Sequence, residues 1–303
     1  MWFKNLSLLR FNTPFTLTSA QLEEHLQSAR FRPCSSLEPM SYGWKPPIGD
    51  DGAPLVHAAN GFFMIAAVKE EKILPASVVN DLLADRAQEL ELKRGTPVRR
   101  KEREALRDEV IHELLPRAFS HRIKTWAYLD PVGGWLIVDS ASNKKTEELA
   151  SLLRRSIGTL AVSPPATQER IADVLTRWLS EDNAPSDIAI ENECELHSPD
   201  EEGGIVRCRR QDLTAPEIQN HLEAGKEVVK LAVSWSERLS FVLDDELGIR
   251  RLRFLDCVQE QAEAVDAQDE AERFDADFSI MTLELSAFLP RLLELFGGEV
   301  VAA

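Results

Sequence analysis

The sequence lacks the features of several large protein classes. Its 303 residues include only 14 glycines and 16 prolines, too few for a collagen-like or low-complexity protein. The longest apolar run without a charge, Gly61–Val68, is far shorter than the roughly 20 residues of a membrane-spanning helix. The first residues show no secretory signal pattern. We therefore expect a soluble, cytoplasmic protein.

Cysteines are few and widely separated, and no two of them form a CxxC pair. This spacing argues against both a structural zinc site and a disulfide framework. We expect buried, reduced thiols at the four positions, which are Cys34, Cys194, Cys208 and Cys257.

Catalytic signatures are also missing. The sequence contains no P-loop, no GxGxxG, no HExxH and no GxSxG motif. Ser142–Lys145 matches SxxK, but the partner motifs of that chemistry are absent. We therefore predict that the protein is not an enzyme and needs no cofactor or metal. One alternative stays open, a metal-dependent nuclease built on the carboxylates Asp244, Asp245, Asp275 and Asp277.

Charge is distributed unevenly. The chain carries a net charge of −16, yet residues 93–124 contain ten Lys or Arg against five Asp or Glu. This window is +5, which leaves −21 for the rest of the chain. Because the Debye length in cells is only about 8 Å, a ligand at the basic window responds mainly to the local charge.

Two other stretches are strongly acidic. Residues 180–202 hold nine Asp or Glu and no Lys or Arg, and residues 256–277 hold nine acids and one Arg. The first is expected to connect two domains or to form a solvated edge. A second alternative function stays open for these stretches, a protein-interaction module that binds its partner through its acidic surfaces.

Hydrophobic periodicity predicts a helical hairpin in the basic window. Val78–Lys93 and Arg99–Leu115 both read as amphipathic helices, separated by the breaker Gly95-Thr96-Pro97. Two such helices with a short break form an antiparallel pair that projects as a finger.

The other segments predict a mixture of strands and helices. The predicted strands are Trp2–Phe11, Gly61–Val68, Trp126–Asp130, Trp135–Ser140, Thr159–Val162, Ile205–Leu213, Val228–Trp235, Leu239–Asp244 and Ile249–Phe254. The predicted helices follow Thr18 and Thr214 and cover Lys144–Ile157, Thr167–Leu179 and Leu283–Phe296, the last one kinked at Pro290. Residues 32–60 read as an irregular loop.

A possible internal duplication links the two halves. TSAQLEEHLQSA at 18–29 and TAPEIQNHLEAG at 214–225 share the pattern T-x-x-[QE]-[LI]-x-x-H-L, and both begin as capping boxes. Two readings remain open: a β-α-β duplication, or two similar amphipathic helices.

The finger carries the most informative side chains. Arg99, Arg103 and Arg107 recur every four residues and share one helix face, with Arg100 beside them. Phe119 follows between basic residues. Cations together with a stacking or wedging aromatic are what a binder of the phosphate backbone needs. The alternative is a solvated helix balanced by its own acids.

At these positions the sequence resembles the RdgC family of recombination-associated proteins. The resemblance covers the whole chain and is carried by separated blocks in one order. The blocks are WFKNL (2–6), ANG (59–61), KEEKILP (69–75), DEVIHELLPRAFS (108–120), the stretch RRQDLT…EI…NH.EAGK (209–226) and RFDADF (273–278).

The resemblance implies an elongated α+β subunit in three parts. These would be a helical finger or tip (76–124), a central α/β region (1–75 with 125–180) and an α+β base (181–303). Two subunits would meet at both ends as a ring-shaped homodimer whose basic hole encircles duplex or single-stranded DNA without sequence preference. By occupying DNA it would limit a RecA-type recombinase during recombination and replication-fork repair. The expected partners are DNA and a second copy, with no membrane, and the expected location is the nucleoid.

The resemblance also assigns DNA-binding residues. The expected set is Arg99, Arg100, Lys101, Arg103, Arg107, Arg117, Phe119, Arg122 and Lys124 at the finger, and Arg209, Arg210 and Gln211 at the base. Pro290 departs from the expected last helix of the family.

Overall fold

Two antiparallel sheets and eight helices make up residues 1–200 and 203–300, the part of the chain that the computed structural model describes. This confirms the α+β class. No helix among these residues is long and apolar enough to cross a membrane.

The first sheet has seven strands and is built around β4. Its strands are β1 (Ser7–Phe11), β2 (Met40–Lys45), β3 (Val56–Ala59), β4 (Phe62–Lys72), β5 (Ser120–Asp130), β6 (Trp135–Val138) and β7 (Val162–Ser163). Their order is β2-β4-β5-β6-β1-β7, with β3 also paired to β4. The run GFFMIAAV predicts β4 because it buries apolar side chains on both faces of the sheet. The β5–β6 hairpin is confirmed, and β5 begins six residues earlier than predicted.

Residues 32–60 are more ordered than predicted. β2 and β3 pair with successive parts of the same edge of β4, so the prediction of an irregular loop was wrong. The apolar signal is weak because these short strands gain their stability from pairing with β4. Gly43 is required in β2, since a Cβ there would lie 2.7 Å from the backbone oxygen of Ala29. Trp44 beside it is fully buried and donates to the hydroxyl of Ser156.

Two helices cover one face of this sheet. They are α1 (Ser19–Gln27) and α4 (Asn143–Ile157). The predicted capping box of α1 is confirmed: the Thr18 hydroxyl accepts from the Gln21 backbone and the Gln21 side chain accepts from the Thr18 backbone. Leucines of both helices pack on β4, β5 and β6 in one core cluster.

The predicted helical finger is present. It consists of α2 (Ala76–Arg94) and α3 (Arg100–Leu114), joined by a turn that begins at Gly95 with φ +69°. Only Val79, Leu83 and Ala87 of α2 and Val110 of α3 are buried. The hairpin therefore has a narrow apolar seam and leaves most of its surface in water.

The second sheet has five strands in the order β12-β11-β10-β8-β9. They are β8 (Ile188–His197), β9 (Ile205–Arg209), β10 (Glu227–Trp235), β11 (Leu239–Asp244) and β12 (Ile249–Phe254). The last three match the prediction almost to the residue. The prediction that 180–202 is a connection was wrong over β8, which pairs with both β9 and β10. Residues 201 and 202 lie outside the described residues.

Four helices accompany this sheet: α5 (Ile171–Glu181), α6 (Pro216–Glu223), α7 (Asp256–Glu263) and α8 (Glu270–Glu294). The predicted capping box at Thr214 is wrong, because Asp212 accepts both the N–H and the hydroxyl of Thr214, and Ala215 is the N-cap residue. The last helix starts 13 residues earlier than predicted, at an N-cap formed by Asp269. Acidic side chains in its first half hid its apolar face from the sequence pattern.

The two sheets are joined through β1. Leu6 exchanges backbone hydrogen bonds with Ile249 of β12, and Leu252 N–H donates to the oxygen of Lys4. One core cluster runs from the first sheet through α5 and α8 to the second sheet. The two sheets are thus held together by one continuous apolar core.

Candidate nucleic-acid interface

The finger presents its cations to solvent. Arg100, whose side chain is 93% exposed, pairs with Glu104 at 3.2 Å, and Arg107 donates to the amide oxygen of Asn80 at 3.4 Å. Arg99, Lys101 and Arg103 have no carboxylate partner among residues 1–200 and 203–300. These three cations are free to meet an anion from outside the chain.

Acidic residues of the finger fix its far end. The Glu102 carboxylate accepts from the backbone N–H of Arg99 at 3.0 Å and from Arg94 at 2.8 Å, and these contacts lower the pKa of Glu102. Glu91 accepts from the backbone N–H of Val98 at 2.9 Å. The turn between the helices is therefore tied down from both sides, so the cations at the start of α3 have a defined position.

Phe119 lies at the root of the finger, on the opposite end from the α2–α3 turn. After α3 a single 3-10 turn, Leu115–Arg117, anchors the chain through buried Leu115. The backbone oxygen of Phe119 then accepts from Ile73 at 2.7 Å, while its ring is 84% exposed. A phenyl ring held in water on a fixed backbone is available for stacking, and exposed Arg117 lies two residues before it.

Arg122 and Lys124 lie on β5 and are engaged inside the chain. Arg122 donates to nearly buried Glu70 at 3.2 Å and covers the ring of Phe31. The Lys124 ammonium donates to the backbone oxygens of Pro46 and Pro47 at 2.9 and 3.0 Å.

Lys124 also lies over the Trp126 ring, 3.8 Å from its centre. Burial, with a smaller effect of Lys45, lowers the pKa of Lys124 to about 8. Lys124 thus serves the packing of the sheet, unlike the finger cations.

At the second sheet, Arg209, Arg210 and Gln211 end β9. Arg209 is exposed and 3.5 Å from Glu193. Arg210 has φ +54°, a left-handed turn that lets the backbone N–H of Gln211 donate to the oxygen of Asn192 at 3.2 Å. The three residues follow one another at the end of β9, far along the chain from the finger cations.

Sequence reasoning missed a charged face on the second sheet. It is lined by Arg207, Arg209, Lys230, Arg250, Arg251, Glu193 and Glu195, which surround a hollow of about 510 Å³. Strand register brings these residues together, since Glu195 lies opposite both Arg207 and Lys230. The alternation of apolar and acidic residues in 188–197 is the sequence signal that would have revealed this strand.

Carboxylates organise this face. Glu195 accepts from Arg207 at 2.7 Å and Lys230 at 3.0 Å, and Glu193 accepts from Arg251 at 2.5 Å. Burial alone would raise the pKa of Glu195, but these hydrogen bonds and one from His197 outweigh it and lower the pKa to about 2. With five cations and two carboxylates lining the hollow, the face keeps a positive excess.

The carboxylates named for a nuclease are not gathered. Asp244 accepts from Arg250 and from backbone N–H groups of its own turn, and Asp277 lies on α8 against the amino group of Met1. Among residues 1–200 and 203–300 no group of three or more His, Cys, Asp or Glu is placed to hold a metal ion.

The cysteines are free thiols, as expected. Cys194 and Cys208 are buried on neighbouring strands, whereas Cys34 is half-buried and Cys257 is exposed, so the expectation of burial was wrong at Cys257 and met only in part at Cys34.

Comparison with known proteins places the chain in a family. A family model described as "Putative exonuclease, RdgC" matches residues 1–299. The chain is 46% identical over 299 residues to the recombination-associated protein RdgC of Aeromonas hydrophila subsp. hydrophila, covering 99% of both chains. It is 45% identical over 299 residues to that of Tolumonas auensis and 46% identical over 302 residues to that of Pseudomonas aeruginosa, again with 99% coverage of both chains. The chain therefore belongs to the RdgC family.

Proposed function

We propose that this chain binds DNA without regard to sequence, as a ring-shaped homodimer that encircles duplex or single strands at the nucleoid. By occupying DNA it limits the access of a RecA-type recombinase during recombination and fork repair. The relatives named recombination-associated protein support the general role. The three-part division into finger, central region and base is part of this proposal.

The observation that carries the proposal is the combination of free cations and an exposed aromatic on one projecting element. Arg99, Lys101 and Arg103 have no carboxylate partner in the described part of the chain, and Phe119 at the root of the same finger is 84% exposed. A solvated helix with no ligand needs neither feature. Cations bind phosphates of any sequence, and an aromatic ring stacks on any base.

The second sheet supplies the other end of the proposed binding surface. Arg209 and Arg210 are exposed, and the hollow beside them keeps a positive excess despite two glutamates. An acidic chain with net charge −16 and two basic surfaces directs DNA to those surfaces and repels it elsewhere.

A stoichiometric binder is favoured over a nuclease and over a purely acidic interaction module. The named carboxylates are separated and engaged, and Glu193 and Glu195 of the first acidic stretch face arginines and a lysine rather than an open acidic surface.

The test is a binding titration across salt with the subunit mass measured in parallel. We expect equal affinity for unrelated duplexes, a steep fall with salt, a dimeric mass and intact DNA after incubation with Mg²⁺. Sequence preference or degradation of the DNA would contradict the proposal.

A further inference from the structure

A large cleft separates the first sheet from the second. It has a volume of about 740 Å³ and lies between β1, α4, the segment after β7 and the turn that joins β11 to β12. This volume falls within the range of about 300–1,000 Å³ that is typical of ligand sites. No residue of the finger lines it, so it is separate from the cations at the finger.

The floor of the cleft is an interrupted strand edge. On this side the chain is paired at Leu6, just before β1, where Leu6 exchanges hydrogen bonds with Ile249 at 2.8 and 3.0 Å. It is paired again within β1 at Arg10, which lies opposite Ser163. Alternate residues of a strand direct their backbone groups to the same side. Leu8, midway between the two paired residues, therefore directs its N–H and C=O into the cleft.

The backbone of Leu8 has no internal partner. On its other side Leu8 lies opposite Ile137 of β6. The hydrogen bonds to β6 are made by the odd-numbered residues of β1, as the bond from the Phe11 N–H to the Gly134 oxygen shows. Among residues 1–200 and 203–300 nothing bonds to the N–H or C=O of Leu8, although this residue is only 6% exposed. Because its N–H and C=O are both unpaired and lie between paired residues, Leu8 can form backbone hydrogen bonds with one residue of an added strand.

The chain itself does not fill this position because of two prolines. β7 runs beside β1 only as far as Ser163 and continues into Pro164 and Pro165. Proline has no backbone N–H, so it cannot extend the ladder to Leu8. The segment turns away from β1, and the backbone oxygen of Ala166 accepts from the N–H of Val300 instead.

The walls of the cleft indicate the chemistry of a ligand. Ala150, Val162, Pro164 and Leu247 form apolar parts of the lining. Its cations are already engaged: Arg154 donates to Leu160 O, Arg170 to Glu227 and Arg250 to Asp244.

Two carboxylates of the lining remain open. Glu147 and Asp245 have no side-chain partner among the described residues. Burial, with the neighbouring carboxylates Asp244 and Glu246, raises the pKa of Asp245. A positive group placed beside it would relieve that cost.

We propose that this cleft binds an extended peptide segment of another protein, which pairs its backbone with Leu8 and places a Lys or Arg side chain against Glu147 and Asp245. A peptide residue offers a donor and an acceptor at the spacing that Leu8 presents, which is the basis of strand addition. The apolar walls accept the alternate side chains, and the open carboxylates select a basic residue.

The test uses a phage-displayed library of random linear peptides, selected on the full-length protein. We expect enriched peptides that carry Lys or Arg among β-branched residues, with no proline at the pairing position. Ser151 is exposed and lines the cleft, so Ser151→Trp fills the cleft without disturbing the core and abolishes binding. Ser77→Trp, at an exposed helical serine on the finger, is the matched control and retains binding.

Two further measurements decide whether the peptide sits as proposed. Hydrogen exchange at the Leu8 amide slows on binding, and Asp245→Asn weakens binding by about two- to fivefold, the effect of a half-exposed ion pair. DNA affinity stays unchanged in Ser151→Trp. Failure to enrich any peptide, equal binding to Ser151→Trp, or unchanged exchange at Leu8 would each overturn the proposal.

Discussion

Replacing Arg99, Lys101 and Arg103 together by alanine removes the finger cations that have no carboxylate partner among the described residues. All three side chains are exposed, and none supports the apolar seam of the finger. Exposed substitutions of this kind change the free energy of unfolding by about 0.5 kcal/mol or less. The variant therefore tests binding without testing folding.

The expected loss follows from counterion release. Each phosphate neutralised on duplex DNA contributes about −0.9 to the slope of log K against log salt concentration, so three cations account for up to about 2.7 units per subunit. When the salt concentration falls from about 1 M to about 0.1 M, K of the native protein therefore rises by roughly 2.7 log units more than K of the variant. This difference corresponds to about 3.7 kcal/mol of binding free energy. Affinity falls alike on all sequences because phosphates carry no sequence information.

Fluorescence anisotropy with labelled duplexes of unrelated sequence, repeated across salt, measures this slope. The matched control replaces Lys144, Lys145 and Arg155, three exposed cations of α4, by alanine. We expect the finger variant to flatten the slope and the α4 variant to leave it near the native value. Equal slopes for the native protein and the finger variant, with both folded, would refute the finger as a DNA contact.

Three further predictions concern single side chains. Phe119→Ala should weaken binding to single strands by about 1–3 kcal/mol, the value of one stacked base, with an unchanged melting temperature; a lower melting temperature with intact affinity would show a packing role instead. Glu195→Gln should lower the free energy of unfolding by about 1–3 kcal/mol at neutral pH, because it removes the negative charge beside Arg207 and Lys230 and replaces one of the two acceptor oxygens with an NH2 donor. The pKa of Glu195 in the folded protein is about 2, below its ordinary 4.5, so this stabilisation is complete above about pH 5 and is lost as pH falls toward 2. Denaturant unfolding measures the difference in free energy of unfolding between the native protein and the variant, and an equal difference at pH 7 and pH 3 would contradict this prediction. Lys124→Met should destabilise the fold by about 1–3 kcal/mol through two unsatisfied proline oxygens, while the salt slope of DNA binding stays native; a flattened slope would return Lys124 to the DNA contacts.

Sequence patterns predicted the elements whose stability is local or whose apolar pattern is strong. β4, the β5–β6 hairpin, both finger helices and β10–β12 all have strong apolar patterns, and each was found where it was predicted, although β5 begins six residues earlier. Periodicity and charge spacing predicted the finger and its cations, and the family resemblance added the expectation of a ring-shaped dimer.

The errors at residues 32–60 and 188–197 have one physical cause, which is pairing with distant residues. The sequence of β8 is typical of an acidic linker, because the partners of its glutamates are distant in the chain. Strand pairing brings Arg207, Lys230 and Arg251 to these glutamates. The internal partners of Lys124 were equally hidden from the sequence, because the carbonyl groups that hold it come from a loop almost 80 residues earlier in the chain. Charge in a sequence shows that a partner is needed, but only the fold shows whether the partner is internal.

The most direct test of the account is whether DNA passes through a closed ring. Thr96 lies exposed on the turn between the finger helices, so Thr96→Cys in a background with Cys34→Ser and Cys257→Ser allows a reversible cross-link between the two finger tips. The same background with native Thr96 is the control. The account predicts that the cross-linked dimer loads onto linear duplex from an end but not onto circular duplex. It also predicts that cross-linking after loading makes release from circles resistant to high salt. Equal loading on both substrates, or equal removal by salt, would contradict encirclement.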